Sequence, residues 1–380
     1  MLSVDKTFGP CCNIKNMPSK IFPKNKSEIM ELWNSQKFVD VRRRVLEGKT
    51  DGTSCESCYD RFFSEDYGIF GMGQMLPVRS LNKSNGYREF YGRANAAYAA
   101  GSLVLDYTPP EIYIFTSRNC NLRCKMCPFT SANAHQKYAK VVYPVENIIS
   151  LLKEIGWNKI DRIGLIGGEP LMTPDALTLL RFLAGEKLNG TCVYITTNGM
   201  LIDNQIDLLK KLENLQITVS VDGTNETYEK IRTGATWIRL VNNMNLLKNV
   251  KKRERPNWKI TINSIVMKST IPYLLSLLKF GAEMGASVFF SSIVGTTDED
   301  IFLDPHLLRV VPDWENYIDS TLDYAKQIGD NKAYDSLSVV KRRIKLAFEM
   351  EKSNPLASRI ARANNKLRML LGYYRNTLLP

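Results

Sequence analysis

The sequence predicts an α/β fold built on a parallel sheet, and three observations predict it. Strand-like apolar runs alternate with helical patterns after Ser117, each helical pattern separates two such runs, and turn-forming residues fall where the runs end. The strands are predicted over Ile112 to Thr116, Arg162 to Ile166, Val193 to Thr197, Ile217 to Val221, Lys259 to Val266 and Val288 to Ile293. Between them, apolar residues at three and four spacing mark helices over Val145 to Ile155, Asp175 to Leu183, Asn204 to Leu212, Trp237 to Lys251 and Ile271 to Met284. Helices linking successive strands are consecutive βα units, whose functional groups collect at the C-terminal strand ends. Beyond Ile293 the pattern is helical, clearest over Pro312 to Ile328 and Ser336 to Lys352. The tail from Pro355 to Pro380 holds Arg359, Arg362, Lys366, Arg368 and Arg375 and no acidic residue. It reads either as a docking helix for an acidic surface or as a solvated helical face.

With 44% hydrophobic residues over 380 positions, the chain has material for a core, which excludes a disordered protein. Its 51 basic against 39 acidic residues give a net charge of +12, which favours anionic partners. Apolar runs such as Tyr273 to Leu278 fall far short of the ~20 residues a membrane helix needs. Residues 1–20 hold no apolar leader, so the expectation is a soluble protein in a reducing cytoplasm.

Eight cysteines in a chain this long do not make a disulfide scaffold. Seven fall in clusters: Cys11 with Cys12, Cys55 with Cys58, and Cys120 with Cys124 and Cys127; Cys192 stands alone. The last cluster follows the first predicted strand, so three thiolates leave one loop together. At spacings of four and three they can take three corners of a cubane iron-sulfur cluster and leave the fourth iron open. The competing reading is a zinc knuckle, which wants a fourth ligand close by; His135 lies eight residues on, and the other histidine is His306.

Cys120-x3-Cys124-x-Met126-Cys127 resembles the signature of the radical S-adenosylmethionine (radical SAM) superfamily. The resemblance extends through Gly167-Gly168-Glu169-Pro170, Thr197-Asn198-Gly199 and Ser220-Val221-Asp222-Gly223, in the family's order and each at a predicted strand end. It implies a partial (βα)6 TIM-like barrel with a 4Fe-4S cluster on Cys120, Cys124 and Cys127 that binds S-adenosylmethionine. It also implies the cofactor contacts. Met126 packs near adenine, and Gly167 to Pro170 form a backbone edge beside the methionyl part, with Glu169 accepting from its ammonium. Ser220 and Asp222 face the methionyl carboxylate and the ribose, and Arg232 binds the carboxylate. Asn198 contributes from its turn. Blander readings stand beside these: a plain strand-to-helix turn at Gly167, a geometric role for Asn198, and a surface histidine at His135.

The N-terminal stretch carries Pro10-Cys11-Cys12, Ile29 to Phe38, Val41 to Glu47 and Cys55-x2-Cys58, which resembles the SPASM and twitch auxiliary-cluster modules, placed here before the barrel. The resemblance implies an auxiliary 4Fe-4S cluster on Cys55, Cys58 and Cys11 or Cys12. A zinc ribbon, a module without its cluster and a partner-binding hairpin are the other readings. The expected domains are a module over 1–66, a bridge over 67–108, the barrel over 109–295 and a helical extension over 296–380.

The function these resemblances imply is reductive cleavage of S-adenosylmethionine to a 5′-deoxyadenosyl radical that abstracts a substrate hydrogen. The expected outcome is oxidation or crosslinking of a peptide, sugar or natural-product precursor, with an external donor such as flavodoxin or ferredoxin. The substrate is expected to be an anionic small molecule or a peptide. The alternative is a redox-neutral epimerase or rearrangement enzyme, in which Cys11 or Cys192 could return a hydrogen; for Cys192 a buried apolar thiol is the blander reading. A zinc-stabilised nucleic-acid-binding protein is a distant third, because it leaves the ordered barrel motifs unexplained.

Overall fold

A computed structural model of the chain describes residues 2–3, 7–8, 23–49, 93, 96–127, 144–293, 298–302 and 304–353. In chain order the strands are β1 (Leu2–Ser3), β2 (Thr7–Phe8), β3 (Glu111–Phe115), β4 (Arg123–Cys124), β5 (Arg162–Ile166), β6 (Cys192–Thr197), β7 (Leu215–Ser220), β8 (Arg232–Thr233), β9 (Lys259–Val266) and β10 (Ser287–Ser292). The helices are α1 (Lys26–Trp33), α2 (Gln36–Leu46), α3 (Val145–Ile155), α4 (Pro174–Gly185), α5 (Ile202–Leu209), α6 (Asn225–Ile231), α7 (Trp237–Arg253), α8 (Leu274–Glu283), α9 (Trp314–Gln327) and α10 (Asn331–Ser353). Local chemistry sets several boundaries. Asn25 caps α1 by accepting the Glu28 amide at 2.8 Å. Pro174 opens α4, where a helix needs no amide donor. Gly156, at φ 88°, stops α3.

The chain divides into two compact units, residues 1–117 with 140–195, and residues 118–139 with 196–380. In the first, β3, β5 and β6 run parallel, with Ile114 opposite Leu165 and Leu165 opposite Ile195. One sheet face carries Ile112, Ile114, Ile163, Leu165, Val193 and Ile195, all at most 5% exposed. Each such side chain contributes about 1.5–3 kcal/mol through burial. The other face carries Glu111, Tyr113, Arg162 and Tyr194. Arg162 lies 3.5 Å from the Glu111 carboxylate and donates to the Tyr113 hydroxyl at 3.3 Å. Gly164 makes room for the Tyr113 ring, since a Cβ there would sit 2.3 Å from it.

Two features of this unit carry no sequence periodicity. β1 adds parallel to β3, with β2 antiparallel beyond it. The α1–α2 turn is fastened to the segment that leads into β3. Asn34 accepts the Leu105 amide at 2.8 Å and donates to the Leu105 carbonyl at 2.7 Å, while Arg42 donates to the carbonyls of Leu103 and Trp33. Part of the motif that suggested an auxiliary module therefore has a structural task. Cys11, Cys12, Cys55 and Cys58 lie outside the described residues.

In the second unit β7, β9 and β10 run parallel, with Ser220 opposite Asn263 and Phe290 opposite Ser264. β10 is an edge strand, and α10 with the turn before it blunts that edge. Asp330 accepts the Val288 amide at 3.0 Å, Ser336 accepts the Phe290 amide at 3.0 Å, and Arg343 bonds the Ser292 hydroxyl. α9 packs on α10, where Lys341 pairs with Asp319.

The fold is thus mixed α/β with a parallel sheet of six strands, β3, β5, β6, β7, β9 and β10, which lie in the order of the sequence, while β1 and β2 extend the sheet beyond β3. Sequential order is the winding of a partial (βα)6 barrel, whereas a doubly wound sheet reverses at a switch point. Among the described residues no helix is long and apolar enough to cross a membrane.

Candidate functional site

The cysteine loop is held by a small antiparallel ribbon that the sequence did not announce. β4 pairs with β8 so that Cys124 faces Arg232 and Arg123 faces Thr233. The ribbon continues as the Lys125 amide donates to the Ile231 carbonyl at 2.8 Å, and the Cys127 amide closes a turn on the Cys124 carbonyl at 3.1 Å. Leu122, Cys124 and Met126 alternate inward, at 1%, 9% and 5% exposure. The Met126 side chain is therefore part of the protein interior.

Donors are aimed at two of the three sulfurs. The Leu122 amide lies 3.4 Å from Cys120 Sγ, and Asn198 Nδ2 lies 3.6 Å from the same sulfur while donating to Asn121 Oδ1 at 2.8 Å. Arg232 Nη1 lies 3.7 Å from Cys124 Sγ. Burial pushes the Cys124 thiol up to about 11, against the pull of the Arg232 guanidinium. N–H groups and a cation directed at sulfur are what cluster thiolates accept. Among the described residues no group of three His, Cys, Asp or Glu is gathered as a single metal ion requires. The N–H donors at Cys120 and the guanidinium at Cys124 suit thiolates that hold an iron-sulfur cluster.

Asp222 is engaged within the protein. β7 ends at Ser220, so the alternation that would put Ser220 and Asp222 on one side stops there. Ser220 is half-buried, whereas Asp222 is fully buried. The Asp222 carboxylate accepts the Ile265 amide at 2.7 Å and pairs with Arg232 Nη2 at 2.6 Å. Burial raises the Asp222 pKa, and Arg232 opposes that rise. In this structure Asp222 holds Arg232 and the end of β9.

Glu299 was missed by the sequence reading. Its carboxylate, 1% exposed, meets Lys125 Nζ at 2.5 Å and accepts the Ser269 amide at 2.9 Å. A lone Glu more than a hundred residues downstream of the cysteines gives no sequence signal.

In the other unit, Gly167 and Gly168 follow β5. Gly168 donates to the Ser117 carbonyl at 2.7 Å, and Gly167 adopts φ 138°. A Cβ on Gly167 would meet Ser117 O at 2.4 Å, so this edge needs a bare backbone. Glu169 and Pro170 are buried, and Glu169 Oε1 accepts the Leu171 amide at 3.0 Å. The expected ammonium-binding carboxylate therefore already closes its own turn. Cys192 opens β6 opposite Arg162, the first residue of β5. It is thus about 16 Å, five strand steps, from the Gly167 end of that strand. Cys192 is buried at the start of its strand, away from the C-terminal strand end. His135 lies outside the described residues.

Residues 114–280 match the model of the Radical SAM superfamily. Similar proteins include the GTP 3′,8-cyclase of Synechocystis sp., 30% identical over 160 residues that cover 42% of this chain and 46% of that protein. The GTP 3′,8-cyclase of Aquifex aeolicus is 26% identical over 189 residues, 47% and 56% of the two chains. Molybdenum cofactor biosynthesis protein 1 of Dictyostelium discoideum is 29% identical over 157 residues, 41% and 24% of the two. The chain spans about half the length, or less, of these relatives. Among solved structures, Streptococcus suis SuiB bound to S-adenosylmethionine aligns with a TM-score of 0.43 at 20% identity, covering 73% of this chain and 63% of that one.

Proposed function

We propose that this chain, whose membership of the radical SAM superfamily is supported by the match over residues 114–280, is an enzyme that takes a hydrogen atom from an anionic substrate. The observation that carries the reading is the cysteine loop, with N–H donors aimed at Cys120 and Cys124 from Leu122, Asn198 and Arg232. A 4Fe-4S cluster held there and reduced by a donor such as flavodoxin or ferredoxin would supply the electron for reductive cleavage of S-adenosylmethionine to methionine and a 5′-deoxyadenosyl radical. The protein's part is to hold and orient. Cys120, Cys124 and Cys127 are the ligands in this reading, and Gly167 with Gly168 offer a bare backbone edge to the methionyl group. Ser220, half-buried at the end of β7, is a polar contact for the cofactor in this reading, and Asn198 serves beside Cys120.

The substrate class in this reading is a phosphorylated or nucleotide-like molecule. The +12 charge favours an anion, and the relatives carry the name of a cyclase of GTP. That name also favours a second reading, a redox-neutral rearrangement in place of oxidation or crosslinking. An auxiliary 4Fe-4S cluster on Cys55, Cys58 and Cys11 or Cys12, within a module over 1–66, belongs to the same proposal, as does a cytoplasmic location.

Anaerobic reconstitution of the full chain tests the reading, with iron analysis and 5′-deoxyadenosine release. Two cubanes give about eight irons, and a Cys120→Ala, Cys124→Ala, Cys127→Ala variant about four. Release of 5′-deoxyadenosine from the wild type alone supports the enzyme. Zinc in place of iron, with no cleavage product, refutes it.

A further inference from the structure

We propose that Glu299 is a positioning residue for the cysteine loop, acting through Lys125 to fix the stretch of chain between Cys124 and Cys127. The proposal rests on the cluster reading above and assigns a residue outside its motifs.

Lys125 is the first of two residues between those cysteines, and it is held at both ends. Its amide donates to the Ile231 carbonyl at 2.8 Å, and its ammonium meets Glu299 Oε1 at 2.5 Å. Glu299 is itself fixed from the end of β9. Its carboxylate accepts the Ser269 amide at 2.9 Å, and its carbonyl accepts the Lys268 amide at 3.2 Å. The turn around it is self-supporting, since the Asp300 carboxylate accepts the Phe302 amide at 3.0 Å and its carbonyl accepts the Asp304 amide at 3.1 Å.

Burial explains why this contact constrains the loop. A carboxylate at 1% exposure loses its water and needs a partner cation to stay ionised. Lys125 is the cation it meets, and the Lys125 side chain remains 45% exposed. The lysine alone would be free to swing in solvent, so the order in the pair comes from Glu299. Because the backbone of Lys125 adjoins Cys124, fixing both ends of the residue restricts the directions in which Cys124 and Cys127 leave the chain. Groups that orient metal ligands from outside the coordination shell commonly change metal retention about 10–100-fold.

The test uses the full chain, reconstituted anaerobically, and reads the rate at which a ferrous chelator strips iron. Glu299→Ala and Lys125→Met should each speed iron loss by about tenfold. The double variant should be no faster than the faster single, because both remove one contact, and Lys125→Arg should stay near wild type. Unfolding of the iron-free chains is measured alongside. Midpoints near wild type with faster iron loss mark a lost clamp, and a loss of stability that accounts for the faster iron loss would overturn it. Wild-type release rates in both single variants, or additive rates in the double, would overturn the clamp while leaving the cluster reading intact. A wild-type chain that takes up no iron would instead overturn the cluster reading on which the proposal stands.

Discussion

Arg232 and Asp222 form an ion pair of 2.6 Å with side chains 7% and 0% exposed, and Arg232 also faces Cys124 across the β4–β8 ribbon. Removing one partner leaves the other charged and buried. Asp222→Ala should therefore cost about 3–5 kcal/mol. Urea unfolding of the iron-free chain measures it. A loss below about 1 kcal/mol, the range of an exposed pair, would show that Arg232 reaches solvent or another partner.

Gly167 follows β5 at φ 138° with Ser117 O in the place of a Cβ. Gly167→Ala should destabilise the chain by about 1–3 kcal/mol from backbone strain and weaken S-adenosylmethionine binding with it. Gly185→Ala is the control, since nothing lies within 4 Å of its Cβ position. Equal unfolding midpoints for the two variants would mean that the Gly167 backbone relaxes freely.

Burial holds the Tyr113 phenol well above its usual range, the Glu111 carboxylate raises it further, and Arg162 opposes both. Glu111→Gln removes a negative charge and leaves Arg162 nearer its phenol partner. The phenolate band of Tyr113, isolated by difference against Tyr113→Phe, should then appear at lower pH than in the wild type. The same variant should lose about 1–3 kcal/mol of stability as Arg162 loses its carboxylate. A band that moves to higher pH would contradict the sign.

Cys192 sits at the start of β6, beside the beginning of β5. Cys192→Ala should leave 5′-deoxyadenosine release and solvent-deuterium incorporation into product at wild-type levels. Loss of deuterium incorporation alone would mark the thiol as a hydrogen donor.

The barrel's strands and helices were legible because periodicity reports burial directly, whereas the barrel itself came from the resemblance. β5, β9 and α3 begin and end where the pattern put them, since each is long enough for its alternation or its three-four spacing to stand out. The motif residues were legible as a set but not in their tasks. Asp222 follows the last residue of its strand, where a period-two argument no longer applies, and only the structure shows its carboxylate turned onto Arg232 and Ile265. The ribbon between Cys124 and Arg232 has two residues a side, too few to show any period. Glu299 meets Lys125 from 174 positions away, and one sequence holds no trace of such a pairing. Helix α6 was passed over for the same reason as the ribbon: at seven residues it spans only two turns.

The side chains that answer the amides of Val288 and Phe290 have a further meaning for how this protein keeps to itself. An unanswered row of strand amides is a template on which another chain can lay down a strand. Asp330 and Ser336 fill that row from a turn and a helix, which no strand can join. A chain cut before Asp330 would keep its barrel strands and lose this protection, so fragments made to isolate the barrel should precipitate, and the C-terminal helix acts as a built-in guard against self-association.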